Sequence, residues 1–320
     1  MKKASAKAHP IQGLIKYHGL KDDILRIPYH DSISVCTAPF ETHTTIAFSN
    51  TYSENQAFIN GEKAEGRVLE RICCLVKAIQ EKTEQSQPFY MVSQNNFPSN
   101  IGLGASSSGF AALALATCKA LELEWDYQTI STYARLGAGS ACRSLTGGFS
   151  YWVAGDSHES SYSYQLESPL DFAILFAVVP AFKETENAHR EALTSPLFSC
   201  RLSYIPQVLT KMKTALQEGD FHTMGELAEK DTLNLHAITM TGKNGVLHWR
   251  PETIAIMLEV QKMRKDGIPA YFSIDTGATV YVNTLQEYLE EVEKRIQSLG
   301  IQTHQGFIGG PAQVVEDHLF

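Results

Sequence analysis

The sequence lacks the signatures of several common functional classes. Its six cysteines, Cys36, Cys73, Cys74, Cys118, Cys142 and Cys200, include no Cys-x-x-Cys pair and several sit among apolar residues. They read as reduced residues of a cytoplasmic protein, not as a disulfide framework or a zinc ribbon. The eleven histidines form no His-Glu-x-x-His cluster, which removes the usual signal for a structural transition metal. No apolar run reaches the roughly 18 residues that a membrane span needs, and no apolar segment follows the basic start at residues 1–10. The reading is a soluble, unexported chain with no membrane partner. Positive charge is in deficit: the formal net charge of -8 argues against nucleic acid as a partner and leaves room only for a local basic pocket that binds a small anion. Internal repeats and low-complexity segments are absent as well.

Two familiar nucleotide motifs are also missing. No Gly-Lys-Ser/Thr closes a Walker loop, and no Gly-x-Gly-x-x-Gly is followed by an acid at dinucleotide-binding spacing. What is present is Phe97-Pro-Ser-Asn-Ile-Gly-Leu-Gly-Ala-Ser-Ser-Ser-Gly-Phe110, which runs straight into an alanine-rich helix former at residues 111–116. Glycines 102 and 104 let the backbone turn, and the serines at 106–108 are natural N-caps. Such a loop delivers unpaired amides and a positive helix end to one point, where a phosphate chain binds. A helix cap with no ligand has the same appearance, and the loop by itself does not separate the two.

At 320 residues the chain has the length of one large or two ordinary domains, on a prior of about 150 residues each. Extended runs are predicted at 32–36, 44–48, 88–93, 149–154, 172–179 and 270–282, the last broken by a tight turn, with a short strand after Gly300. Helical spacing marks 65–82, 110–121, 127–136, 252–266 and 285–299, and a charged helical region covers 183–231, with Pro206 at a helix start. Helices and strands mix without a regular βαβ rhythm, so the fold class is α+β. The composition shift near residue 185 divides the chain into 1–185 and 186–320.

Three charged residues stand out. Lys16 interrupts the apolar run Gly13-Leu-Ile-Lys-Tyr-His-Gly19, either as a solvated strand position or as a buried functional cation. Arg143 lies in the glycine-flanked Gly137-Ala-Gly-Ser-Ala-Cys-Arg-Ser-Leu-Thr-Gly-Gly148, where Ser140 can cap a short helical turn; bidentate binding of a carboxylate or phosphate and a plain surface ion pair both suit it. Asp275 is the one charge in 270–282, either a turn aspartate bonded to its own backbone or a functional carboxylate.

Taken together these stretches resemble one family, the mevalonate diphosphate decarboxylases of the GHMP kinase superfamily. Its blocks have counterparts in order: Leu14-Ile-Lys-Tyr-His-Gly19, Ser32-Ile-Ser-Val35, Asn95-Asn-Phe-Pro98 with Gly102-Leu103 and Gly109-Phe-Ala-Ala112, Gly139-Ser-Ala-Cys-Arg-Ser-Leu145, the segment 231–236, and Ala270-Tyr-Phe with Asp275 and Gly277. The resemblance implies a two-domain fold, an N-terminal ATP-binding α/β domain plus a C-terminal ferredoxin-like α+β domain, in a homodimer that binds ATP, Mg2+ and a phosphorylated mevalonate. It also implies the chemistry. ATP phosphorylates a tertiary hydroxyl, that phosphate departs, and the neighbouring carboxylate leaves as carbon dioxide to give an alkene. Asp275 would accept or orient the hydroxyl proton, Arg143 would hold the substrate carboxylate, and Lys16 would neutralise charge during transfer. Asn96, Pro98, Gly102, Leu103, Gly104, Ala105, Ser106, Ser107 and Ser108 would hold ATP, with Ser106 also on magnesium.

Departures from the pattern bear on the substrate. Leu20 stands where family members acting on the diphosphate have lysine, Ala138 stands where they have serine, and His189 and Arg190 replace another family motif around 185–190. A phosphate would hardly face Leu20 and Ala138, since unmade hydrogen bonds to a charged group cost about 1.5–3 kcal/mol each. The expected substrate is therefore mevalonate 5-phosphate and the product isopentenyl phosphate, with Tyr17, His18, Ser140, Arg143, His189 and Arg190 as the residues that bind the substrate. The alternatives are the diphosphate substrate, a mevalonate 3-kinase that does not decarboxylate, and a non-catalytic ATP binder.

Overall fold

The β-branched, apolar runs after Pro28 become two strands, Ser32–Ala38 and Thr42–Phe48, in which every residue is buried. They are consecutive in sequence but enter different sheets, so the turn between them passes the chain from one layer to the other. The computed structural model describes residues 2–98, 103–180 and 185–320.

Among the described residues one sheet runs in the order Gln313–Val315, Lys2–Ala8, Thr42–Phe48, Phe89–Asn95, Gln56–Ile59 and Glu62–Lys63. Helices Gly66–Gln80, Ala105–Ala120 and Tyr127–Gly137 share its apolar core. The alanine-rich helix Ala105–Ala120 lies directly on Lys2–Ala8 and Thr42–Phe48, and its small side chains permit the close approach.

The second sheet runs Ser163–Leu166, Phe149–Trp152, Ser32–Ala38, Gln302–Ile308, Ala173–Val178, Val280–Thr284 and Ala270–Ser273, with Ile11–Ile15 also paired to Ser32–Ala38. Strands from both halves of the chain form this sheet, joined where Phe307 pairs with Ala38. Ala173–Val178 pairs with Val280–Thr284 and Gln302–Ile308, so the expected division at residue 185 does not fall between the sheets. Helices Phe198–Glu218 and Phe221–Met240 pack against Ile11–Ile15, and the second also packs on Ala270–Ser273. That three-way meeting forms the site.

Several local expectations are corrected. The cap of Ala105–Ala120 is Gly104 in the left-handed region at φ 76°, and the serines lie inside the first turn. Ser107 donates back to the Gly104 carbonyl at 2.6 Å, which ties its hydroxyl to the helix it was expected to cap. Ser140 precedes the helix Ala141–Thr146 without a side-chain cap. Pro206 lies inside Phe198–Glu218, on an exposed position of a helix whose other face buries Ile205, Val208, Leu209 and Met212. Burial of that face outweighs the one backbone bond that proline forfeits. The expected helix at 285–299 is a 3-10 turn, Gln286–Tyr288, followed by Leu289–Gln297.

Candidate active site

Lys16 follows the strand Ile11–Ile15, whose pairing with Ser32–Ala38 shifts register between Gly13 and Ile15. The side chain is only 4% exposed. Its backbone amide donates to Asp231 Oδ2 at 2.8 Å, and its Nζ donates to Thr232 Oγ1 at 3.0 Å and Ser273 Oγ at 2.9 Å. Burial lowers the Lys16 pKa, and the carboxylates of Asp231 and Asp275 oppose that shift. This is a buried, partnered cation, not a solvated strand position.

Asp275 lies in the turn between Ala270–Ser273 and Val280–Thr284. Its Oδ1 accepts from the Gly13 amide at 3.1 Å, and its carbonyl is bonded to His236 Nε2 at 2.9 Å. The carboxylate therefore reaches across the fold to the Lys16 segment. Gly13 must be glycine for this arrangement: a Cβ there would lie 2.6 Å from Lys16 Cγ and 2.9 Å from Asp275 Oδ1.

Arg143 projects from Ala141–Thr146 and is 2% exposed. Its guanidinium sits 5.3 Å from the Tyr17 ring centroid and 5.6 Å from that of Trp152, and Nε and Nη1 are buried with no hydrogen-bond partner among the described residues. An aromatic seat holds the plane of the fork while leaving donors for an anion. Arg143 also contributes to the field at Lys16, along with Asp231, Asp275 and Arg201. Lys16, Arg143 and Asp275 thus converge from three distant parts of the chain.

Around Tyr17 the remaining substrate candidates divide. Its ring lies 4.7 Å from Trp152 and 4.9 Å from His189, and His18 lies 4.9 Å from His189. Ser140 is partly exposed beside Gly139, where a Cβ would come within 2.8 Å of the Tyr17 hydroxyl. His189 is buried, whereas Arg190 on the same helix, Thr185–Leu193, is exposed. Ala138 is buried at the end of Tyr127–Gly137, and Leu20 opens the short strand Leu20–Asp22.

The nucleotide candidates flank Gly104 and Ala105. Ser106 is exposed on the first turn, while Ser107 and Ser108 are buried, the latter within 2.6 Å of Thr42 Oγ1. Leu103 belongs to the core. Pro98 is exposed, and the side chain of Asn96 braces the preceding turn by donating to the Pro39 carbonyl at 2.9 Å and accepting from the Glu41 amide at 2.8 Å. Gly102 lies outside the described residues. A phosphate chain fits the exposed start of this helix, with the Ser106 hydroxyl as the protein's donor toward magnesium. Among the described residues no group of three or more His, Cys, Asp or Glu side chains is assembled for a metal, so magnesium at Ser106 would draw most of its oxygens from the phosphates and water.

Family models match on both sides of the site: a diphosphomevalonate decarboxylase-like N-terminal domain over residues 8–163 and a mevalonate 5-diphosphate decarboxylase C-terminal domain over residues 181–310. The chain belongs to the diphosphomevalonate decarboxylase family. It is 46% identical to the phosphomevalonate decarboxylase of Haloferax volcanii, over 98% of each chain. Its fold superposes on the mevalonate diphosphate decarboxylase of Staphylococcus aureus with a TM-score of 0.94 at 31% identity, over 98% of each chain. It likewise matches an MDDEF complex with MVAPP, AMPPCP and magnesium at TM-score 0.92 and 28% identity, over 98% of this chain and 99% of that one.

In this member of the decarboxylase family the residues that sequence reasoning did not single out are those that hold the others. Asp231 is fully buried, paired with Arg201 at 3.0 Å and with the Lys16 amide, while Arg201 also donates to the Lys16 carbonyl at 2.5 Å. Thr232 and Ser273 complete the lysine's cradle. Helical spacing held a signal for Asp231: with Leu227, Ala228 and Leu235 it falls on the buried face of Phe221–Met240, and an acid on such a face needs a cation. Arg201 and Ser273 carry no comparable signal. Burial also pushes His236 down to about 3, so its ring is neutral where it holds the Asp275 carbonyl.

Proposed function

We propose that the chain is an ATP-dependent carboxy-lyase that converts mevalonate 5-phosphate into isopentenyl phosphate, carbon dioxide, ADP and inorganic phosphate. The observation that carries this reading is the convergence of Asp275 and Lys16 on the bare Cα of Gly13, with the Arg143 fork in the same field. The greater identity to a phosphomevalonate decarboxylase than to the diphosphate enzymes supports the one-phosphate substrate. So do Leu20 and Ala138.

Asp275 receives the proton of the C3 hydroxyl as that oxygen bonds to the γ-phosphorus and the bond to the bridging oxygen breaks, its electron pair leaving with ADP. Lys16 lies where negative charge gathers during this transfer. Arg143 holds the carboxylate while the C3–O bond breaks toward phosphate and the C1–C2 pair becomes the C2=C3 double bond, releasing carbon dioxide. Magnesium, when bound at Ser106, supplies neutralisation of the triphosphate charge. We place this activity in a cytoplasmic homodimer, as the family resemblance and the free cysteines suggest.

Carbon dioxide and ADP release, measured with mevalonate 5-phosphate and with the 5-diphosphate, tests the proposal. One carbon dioxide per ADP, with the higher kcat/KM on the monophosphate, is expected. ADP without carbon dioxide would mean a 3-kinase, and a preference for the diphosphate would overturn the substrate assignment while leaving the reaction class.

A further inference from the structure

The strand that leads to Asp275 lies at the end of its sheet. Among the described residues Ala270–Ser273 pairs with Val280–Thr284 on one side and with no strand on the other. Along such an edge the outward N–H and C=O groups belong to every second residue, here 270, 272 and 274. Side chains meet them. The Ala270 carbonyl accepts from Arg264 Nη1 at 2.7 Å, the Phe272 amide donates to Glu229 Oε1 at 3.0 Å, and the Ile274 amide donates to Thr232 Oγ1 at 3.3 Å. One residue further on, the Asp275 carbonyl accepts from His236 Nε2 at 2.9 Å.

Three of these four partners come from one helix. Glu229, Thr232 and His236 stand at i, i+3 and i+7 of Phe221–Met240, a single stripe that follows the strand in the same order. Seven residues of helix rise about 10.5 Å and three steps of extended chain cover about 10 Å, so the two spacings match. Each partner is itself held. Thr232 spends its hydroxyl proton on the Ala228 carbonyl at 2.8 Å, which leaves its oxygen to accept from Ile274. The Arg264 fork grips both Glu229 oxygens, at 2.6 and 2.9 Å, and fixes a carboxylate that is only 8% exposed. The same helix also holds the Lys16 amide through Asp231 and the Lys16 ammonium through Thr232.

We propose that Glu229, Thr232 and His236 are positioning residues, through which helix Phe221–Met240 stands in for a neighbouring strand and sets Asp275 in register with Lys16. The inference rests on the catalytic roles given to those two residues above. Sealing an edge against other chains needs no particular register. Holding a carboxylate to within a fraction of an ångström of a reacting hydroxyl does, and a ladder of side chains from a rigid helix supplies it.

Carbon dioxide release by folded Glu229→Leu, Thr232→Val and His236→Phe tests this. Each variant is expected to lower kcat by about 10- to 100-fold while KM for ATP and for mevalonate 5-phosphate stays within about threefold. Glu229→Gln and Thr232→Ser, which keep an acceptor for the strand amide, should recover most of the loss. Lys230→Ala, on the exposed face of the same helix, should leave kcat unchanged. The double variant Glu229→Leu/His236→Phe should lose about as much as the worse single, because both act on one register. Wild-type kcat in the folded variants, or losses that multiply in the double, overturns the proposal. Should the variants not fold, amide hydrogen exchange of the wild-type protein decides: slow exchange at Phe272 and Ile274 supports the ladder, and fast exchange at both overturns it. That measurement needs no substrate. A wild-type protein that releases no carbon dioxide would sink the proposed function separately.

Discussion

The amide of Gly13 donates to the carboxylate of Asp275 at 3.1 Å across 262 positions of sequence. That bond sets the first strand of the site against the turn carrying the carboxylate. It does so only because position 13 has no side chain to occupy the space between Lys16 and Asp275.

Gly13→Ala follows from this contact. The added methyl would meet Lys16 Cγ and Asp275 Oδ1 well inside contact distance, so one of the two must move. Overpacking of this kind costs about 1–3 kcal/mol of stability, and a displacement of about 1 Å costs about 100-fold in rate. Thermal unfolding and kcat measured together should show a far larger loss of activity than of folded protein. A variant with wild-type kcat would remove Gly13 from the account.

Asp275→Asn keeps the shape of the turn and an acceptor for the Gly13 amide, yet withdraws the base. We expect kcat to fall by about 100- to 10,000-fold with ATP affinity within a factor of a few. Nucleotide binding by calorimetry beside a turnover assay is the measurement. Turnover at the wild-type rate contradicts the role given to this carboxylate.

Asp231→Ala strips a fully buried carboxylate from Arg201 and from the Lys16 backbone. Breaking a buried pair from one side leaves an uncompensated charge and costs about 3–5 kcal/mol. Urea denaturation should show the whole effect in the midpoint. Asp231→Asn, which still accepts from the Lys16 amide, should lie between the two. A surface-like loss below about 1 kcal/mol would mean that Arg201 finds another partner.

Acid should destabilise the protein before its carboxylates titrate. Burial lowers His30 to about 4 and His236 to about 3. Between their usual pKa near 6.5 and these values the unfolded chain binds protons that the folded chain refuses, so stability drops as pH falls. Each ring contributes up to about 1.4 kcal/mol per pH unit in that window. Urea midpoints at pH 7, 6 and 5 should fall in order, and His30→Gln should flatten the trend. A midpoint that holds steady from pH 7 to pH 5 would exclude both burial assignments.

The first strand shows where reading the sequence stops. Lys2–Ala8 has neither apolar alternation nor branched residues, yet it lies between Thr42–Phe48 and Gln313–Val315. Small side chains earn that place because the helix Ala105–Ala120 presses on them, a partner that lies about a hundred residues away. Pro206 illustrates the opposite error: a local rule for helix starts yielded to the buried face of a long helix. Lys16, Arg143 and Asp275 were legible because charge or a glycine-flanked setting marks each one. Arg201 and Ser273 were not, since an arginine in a charged helix and a serine in an apolar strand look ordinary until their partners are known.

The sequence by itself determined the mixed α+β class, the family and the loop that begins the alanine-rich helix, because local propensity and motif order are written along one dimension. Only the tertiary structure decided that Lys16 is caged by Asp231, Thr232 and Ser273, that Asp275 is held by Gly13 and His236, and that His18 is buried against the ring of His189. Those relations depend on burial and on side chains meeting from distant strands and helices. Both come into being when the sheets close, and a string of residues carries neither.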